Sequence, residues 1–178
     1  MIDLMIKCFW FLLPAYFANM APVTVKKISF LNFPIDFNAK IGNRPILGKN
    51  KTFRGLFFGV MFAILISYIQ SIFYNNGIFN EFFIVDYSNW LLLGLLMGFG
   101  AIIGDSFKSF FKRRLGYEPG QRFIPFDQTD FVIGALIFTY FIVKPNLEFI
   151  ITALLLSFVL HIIVNHVSFY TGIRKEKW

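Results

Sequence analysis

Five apolar stretches dominate this chain, at about Leu4–Val23, Gly55–Tyr74, Asn89–Phe107, Thr129–Val143 and Leu147–Tyr170. Each approaches the roughly 20 residues that a helix needs to cross the hydrocarbon core of a bilayer. Lipid offers the backbone no hydrogen-bond partner, so segments of this length cross it as helices that satisfy their own N–H and C=O groups. Composition agrees, with 57% of the 178 residues hydrophobic and only 15% charged, against about a quarter charged in soluble domains. The expected fold is an all-α polytopic membrane protein, a single domain over residues 1–178 with five transmembrane helices.

The charges give this bundle a direction. Lys26, Lys27, Lys40, Arg44, Lys49, Lys51 and Arg54 lie between the first two stretches, and Lys108, Lys112, Arg113, Arg114 and Arg122 between the third and fourth. Arg174, Lys175 and Lys177 follow the fifth, whereas Asn75–Ser88 has no basic residue. Loops rich in Lys and Arg stay cytoplasmic. Five crossings therefore place the N-terminus outside, the C-terminus in the cytoplasm, and two long loops on the cytoplasmic side. The fourth stretch is short and ends at "KPN", read as a tight outer turn; a re-entrant segment there would send the basic tail across. Lys7 ahead of "CFWFLLPAYFANMA" imitates a signal peptide, but Asp3 leaves that region barely basic, so an uncleaved first span is expected. Cys8 is the single cysteine and cannot form an internal disulfide.

Gly55/Gly59, Gly94/Gly98 and Gly100/Gly104 are small-residue pairs one helical turn apart, a spacing that lets helices approach closely. In the fifth stretch Ser157, His161, Asn165 and Ser168 form a polar stripe that interhelical hydrogen bonding explains. His161 and His166 are five residues apart and off a common face, which argues against a zinc pair.

The densest polar region is "GDSFKSFFKRRLGYEPGQRFIPFDQTD", Gly104 to Asp130, directly after the third apolar run. Asp105, Lys108 and Lys112 are spaced to share one helix face. An ionisable group at the membrane boundary is costly without a partner, so Asp105 is either half of a helix-end pair with Lys108 or part of a site. Gly116, Pro119, Gly120 and Pro125 then turn the chain back. It returns with Asp127 and Asp130 at the start of the fourth span. These could cap that helix, and could equally bring two carboxylates towards Asp105. Carboxylates beside a basic cluster meet the needs of Mg²⁺ with a polyphosphate. Lys112, Arg113 and Arg114 also fit a lipid-headgroup anchor.

A second basic cluster, "GNRPILGKNKTFRG", sits at the mouth of the second span. It is not a Walker phosphate loop: Gly42 to Gly48 is one residue too long, and Asn50 stands where a hydroxyl belongs. The "NKT" sequon falls on the cytoplasmic side. Lys49, Lys51 and Arg54 nonetheless place three cationic donors within six residues.

"ANMAPV", "PIDFNAKIGNRPILGKNKTFRG" and "GDSFKSFFKRRLGYEPGQRFIPFDQTD" together resemble the CDP-archaeol synthase family, relatives of the CDP-diacylglycerol synthases, nearly end to end. Asn38 departs from the glycine expected after "PID". The resemblance implies a Mg²⁺-dependent reaction in which CTP and unsaturated archaetidic acid give CDP-archaeol and pyrophosphate. By motif position it makes Asp105, Asp127 and Asp130 the metal-binding candidates, with Lys112 beside them as a catalytic group. Lys49, Lys51, Thr52, Arg54, Lys108, Arg113 and Arg114 become the nucleotide-binding candidates. The implied partners are CTP, a glycerol phosphate lipid with isoprenoid ether or acyl tails, and the bilayer, with no nucleic acid.

Such a transfer suits these residues. The nucleophile is an anionic phosphate oxygen that needs no dedicated base, and no Ser/His or Cys/His arrangement is present. A phosphatidic acid substrate is the nearest alternative, because apolar helices accept either tail. A small anion transporter would need polar groups through the outer half, where Lys144 and Glu148 stand only at the rim. The "DG" and "AR" signature of CDP-lipid alcohol transferases is absent.

Overall fold

The structure, a computed structural model, describes residues 1–118 and 121–172. Pro119, Gly120, Arg174, Lys175 and Lys177, and the side chain of Ser168, lie outside the described residues. The chain forms α1 (Ile2–Thr24), a two-stranded hairpin of β1 (Lys40–Ile41) and β2 (Arg44–Pro45), α2 (Phe53–Asn75), α3 (Trp90–Arg114), α4 (Phe126–Val143) and α5 (Leu147–Tyr170). Two short 3₁₀ turns, Asn80–Phe82 and Tyr87–Asn89, join α2 to α3. All five helices are long and apolar enough to cross a membrane.

Local chemistry sets the boundaries. Thr52 caps α2 by accepting the Gly55 amide at 3.2 Å, and Asn146 caps α5 by accepting that of Phe149 at 2.8 Å. Lys144 ends α4 in the left-handed region at φ 43°, so "KPN" is the tight turn expected. Helix α3 runs past the anticipated Phe107 to Arg114, because no breaker intervenes before Gly116, which sits at φ 88°. Helix α4 starts earlier than anticipated and takes Asp127 into its first turn.

Helix α3 is central and packs on α1, α2 and α4, while α5 lies against α1 and α4. Apolar burial drives little association in lipid, so close van der Waals packing must hold the helices together. Fully buried Ala15, Ala18, Ala63, Ala101, Ala135 and Ala153 line the seams. The tightest crossing joins α3 and α4. A β-carbon on Gly100 would stand 2.6 Å from the Gly134 carbonyl oxygen, and one on Gly104 would overlap the Asp130 carbonyl. Across the polar stripe, Tyr16 and Ser157 share a hydrogen bond of 2.6 Å between α1 and α5. His161 meets Asn165 at 3.1 Å and His166 meets the Ile162 carbonyl at 2.8 Å, so the two rings face different partners.

The two ends of the bundle differ. At one, Trp10 packs against Phe73, Phe79 and Phe83 with ring centroids 5.8–5.9 Å apart, beside Tyr74 and the fully buried Tyr87. At the other, the segment between α1 and α2 folds back on the start of α2: Ile35 N–H donates to Lys51 O, Phe53 N–H to Phe33 O and Arg54 N–H to Leu31 O. The hairpin projects from it, and nearly all the described basic residues gather there.

Gly134→Ala is expected to cost about 1–3 kcal/mol, as overpacking does in a tight interior. Thermal unfolding in detergent should show the loss, with helix content by circular dichroism unchanged below the transition; an unaltered midpoint would mean the crossing is looser than described.

Candidate functional site

Asp105, Lys108 and Lys112 emerge on one face of α3 at its basic end, as their spacing anticipates. The Gly100/Gly104 contact with Gly134 draws α4 so close that Asp127 and Asp130 stand opposite them. Lys108 Nζ lies 3.1 Å from Asp105 Oδ1, 3.1 Å from Asp127 Oδ1 and 2.7 Å from Asp130 Oδ2. Lys51, arriving from the α1–α2 segment, donates to Asp105 Oδ2. Lys112 reaches both oxygens of Asp127 at 3.1 Å and also donates to Gln121 O. Three carboxylates thus meet three ammonium groups in a charge-balanced cluster, which is what a partly buried ionic site requires. Asp127 also accepts the Phe123 amide at 2.6 Å, folding the incoming segment onto α4.

The cluster forms one wall of a cavity of about 560 Å³. Lys49, Lys51, Asp105, Lys108, Lys112 and Arg113 line its inner side, with Asp36, Asn38 and Asn43 towards the hairpin. A second cavity of about 580 Å³ opens between α3 and α4. Its walls are apolar, including Ile103, Phe107, Phe111, Phe126 and Ile137, and its polar lining is Lys108 and Asp130.

The remaining anticipated residues do other work here. Arg54 is buried, and its guanidinium donates to the Lys26 and Ile28 carbonyls past the end of α1. Thr52 is spent on its cap. Arg114 donates to the carbonyls of Ile41, Arg44 and Pro45, while Arg44 donates back to those of Arg113 and Arg114. This reciprocal clasp ties the hairpin to the end of α3. Arg113 lines the cavity and donates to Tyr117 O. Lys112, Arg113 and Arg114 are therefore bound to protein groups rather than held out as headgroup anchors.

Sequence reasoning missed Asp36. Its Oδ2 accepts the Leu47 and Gly48 amides at 2.8 and 3.2 Å, and its Oδ1 accepts that of Asn38 at 3.1 Å. One carboxylate so pins both ends of the hairpin loop, immediately before Lys49 and Lys51. A lone acid in a strongly basic loop was the available signal. Ser109, buried and donating to Asp105 O at 2.9 Å, was also missed.

The donor set suits a hard divalent cation, which takes carboxylate oxygens. Asp130 Oδ2 is buried and ion-pairs with the Lys108 ammonium at 2.7 Å. Among the described residues no group of three acidic, His or Cys side chains is arranged to hold an ion by itself, and the Lys108 ammonium stands among the three aspartates.

The profile of the CarS-like CDP-archaeol synthase family matches residues 1–178. The chain belongs to the CDP-archaeol synthase family. Within it, the CDP-archaeol synthase of Methanocaldococcus jannaschii is 35% identical over 171 residues, covering 95% of this chain and 94% of its own. That of Methanococcus vannielii is 39% identical, covering 100% and 99%, and that of Archaeoglobus fulgidus 34%, covering 100% of each. A solved chain described as an intramembrane enzyme for archaeal membrane lipids biosynthesis superposes with a TM-score of 0.73 at 26% identity, over 88% of this chain and 91% of that one. Family membership and fold thus agree with the five-helix reading.

Removing the pin tests the loop architecture. A hydrogen bond to a charged group contributes about 1.5–3 kcal/mol, so Asp36→Ala should speed amide exchange at Leu47 and Gly48 at least about tenfold. Exchange mass spectrometry on the loop peptides would read this, with peptides from the α3 and α4 core as the reference that should not move.

Proposed function

We propose that this family member is a Mg²⁺-dependent cytidylyltransferase that joins CTP to the phosphate of an isoprenoid ether lipid, unsaturated archaetidic acid, forming CDP-archaeol and pyrophosphate. The observation that carries the reading is the convergence of two cavities on one ionic cluster. The basic, open cavity has the size and charge to take a nucleoside triphosphate; the apolar groove between α3 and α4 suits a lipid whose phosphate ends at Lys108 and Asp130.

In this reading Lys49, Lys51, Lys112 and Arg113 bind the triphosphate, and Asp105, Asp127 and Asp130 would hold the metal ion. Bound there, the ion would neutralise charge on the phosphates. An oxygen of the lipid phosphate attacks the α-phosphorus of CTP, the bond between the α-phosphorus and its bridging oxygen to the β-phosphorus breaks, and pyrophosphate leaves. The attacking oxygen is already an anion, so the chain's task is to bring two polyanions together. Lysine and arginine offset their repulsion, and the two cavities fix the line of approach. The Lys and Arg bias of the loops supports a cytoplasmic face for the site, where CTP is available, in the cell membrane.

Phosphatidic acid is the competing acceptor, since the groove is apolar without being shaped by named polar contacts. Transport of an anion finds no support: the aromatic cluster around Trp10 and Tyr87 fills the opposite end.

Purified protein incubated with radiolabelled CTP, Mg²⁺ and either lipid phosphate should label the ether lipid preferentially and release labelled lipid nucleotide only when both substrates are present. Asp105→Asn should lower turnover at least about a thousandfold, as loss of a group acting on the transition state does, with the protein still inserted and helical. Activity within a few-fold of wild type would remove Asp105 from the metal site, and no transfer from CTP to either lipid would remove the reading itself.

A further inference from the structure

Among the described residues lining the two large cavities at the basic end, Lys108 alone borders both. Its ammonium is also the point on which Asp105, Asp127 and Asp130 converge, at 3.1, 3.1 and 2.7 Å. These two facts assign it a different task from its neighbours. Lys51 and Lys112 each pair with one carboxylate, Asp105 and Asp127 respectively, whereas Lys108 meets all three. With Lys49 and Arg113 they supply the cationic wall of the nucleotide cavity.

The apolar groove is provided for differently. Its lining holds one acid, Asp130, and one base, Lys108. A lipid phosphate arriving there would meet that carboxylate as well as the ammonium, and needs a cation from the protein. Lys108 is the cation the groove contains, yet its charge is engaged by three aspartates. A divalent ion held by the same oxygens would sit within a few ångströms of the ammonium, and two like charges that close repel strongly at low dielectric. The lysine stem is flexible, with a compact charge at its tip, so it can leave one partner for another at small conformational cost.

Resting on the cytidylyltransferase reading above, we propose that Lys108 is a tethered counter-ion: it neutralises the aspartates in the free protein, and withdraws into the groove to pair with the acceptor's phosphate once a divalent cation is held. The acceptor phosphate then finds its cation only when the aspartates have exchanged theirs. Lipid capture becomes coupled to metal loading through one side chain, and a lipid phosphate reaching an unloaded site is held poorly.

The sign of one measurement distinguishes this from a conventional supporting lysine. Mn²⁺ binding to purified protein, followed by electron paramagnetic resonance without CTP or lipid, should be about tenfold tighter in Lys108→Met than in wild type, because the competing charge is gone. In turnover assays the same variant should raise KM for the lipid phosphate about tenfold and leave KM for CTP within about threefold. Lys108→Gln, which removes the charge but keeps a polar end on a slightly shorter side chain, should show the same two changes and serves if the Met variant does not fold. Unchanged or weaker Mn²⁺ binding overturns the counter-ion role, as does a rise in KM for CTP with that for lipid unaltered. Wild-type protein that binds no Mn²⁺ but transfers cytidylyl groups would overturn the metal reading and this role with it, while leaving the reaction standing. Absence of any transfer by wild type would strike the reaction instead.

Discussion

The backbone contact between α3 and α4 governs everything at the basic end. Gly100 and Gly104 lie against Gly134 with no side chain between them, so the helix axes approach more closely than any larger residue permits. That proximity brings Asp127 and Asp130 on α4 within reach of Lys108, which already pairs with Asp105 one turn away on α3. Widening the crossing by the thickness of a methyl group would draw Asp127 and Asp130 away from the lysine they share with Asp105. Small residues in a membrane bundle are usually credited with stability alone; here the same contact sets the dimensions of an ionic site.

Around that crossing the basic residues divide their labour. Arg54, Arg44 and Arg114 spend their planar guanidinium groups on backbone carbonyls, where several donors in a fixed fork are useful. They organise a long segment that has little regular secondary structure of its own. Lysines, with single mobile charges, face the cavity. Asp36 complements the arginines by gathering amides where they gather carbonyls. The cavity wall is thus a loop suspended between one carboxylate and one arginine clasp.

Much of this was legible in the sequence. The five helices followed from hydropathy, and the tight turn at Lys144 followed from the "KPN" that ends the fourth run. The sharing of a face by Asp105, Lys108 and Lys112 followed from helical periodicity, and their meeting with Asp127 and Asp130 from the turn residues between. The departure at Asn38 also has a physical reading: its φ is 62°, a conformation glycine adopts freely and asparagine tolerates. Other features could not be read. Whether an arginine faces a phosphate or a carbonyl depends on loop geometry, which is why Arg54 and Arg114 were grouped with the nucleotide-binding candidates. Thr52 caps α2, a task its local sequence also fits, since hydroxyls serve as caps and as ligands alike. The role of Asp36 depends on amides eleven and twelve residues away, beyond any local pattern.

The aromatic stopper around Trp10 bears on how such a protein coexists with its membrane. A cleft full of charge, sunk into one face of a thin bundle, shortens the insulating path that remains across the bilayer. Bulky rings interlocked at the far rim restore that path with material ions cannot wet. A bundle plugged in this way can carry a charged cleft on one face without opening a wet path for ions to the other.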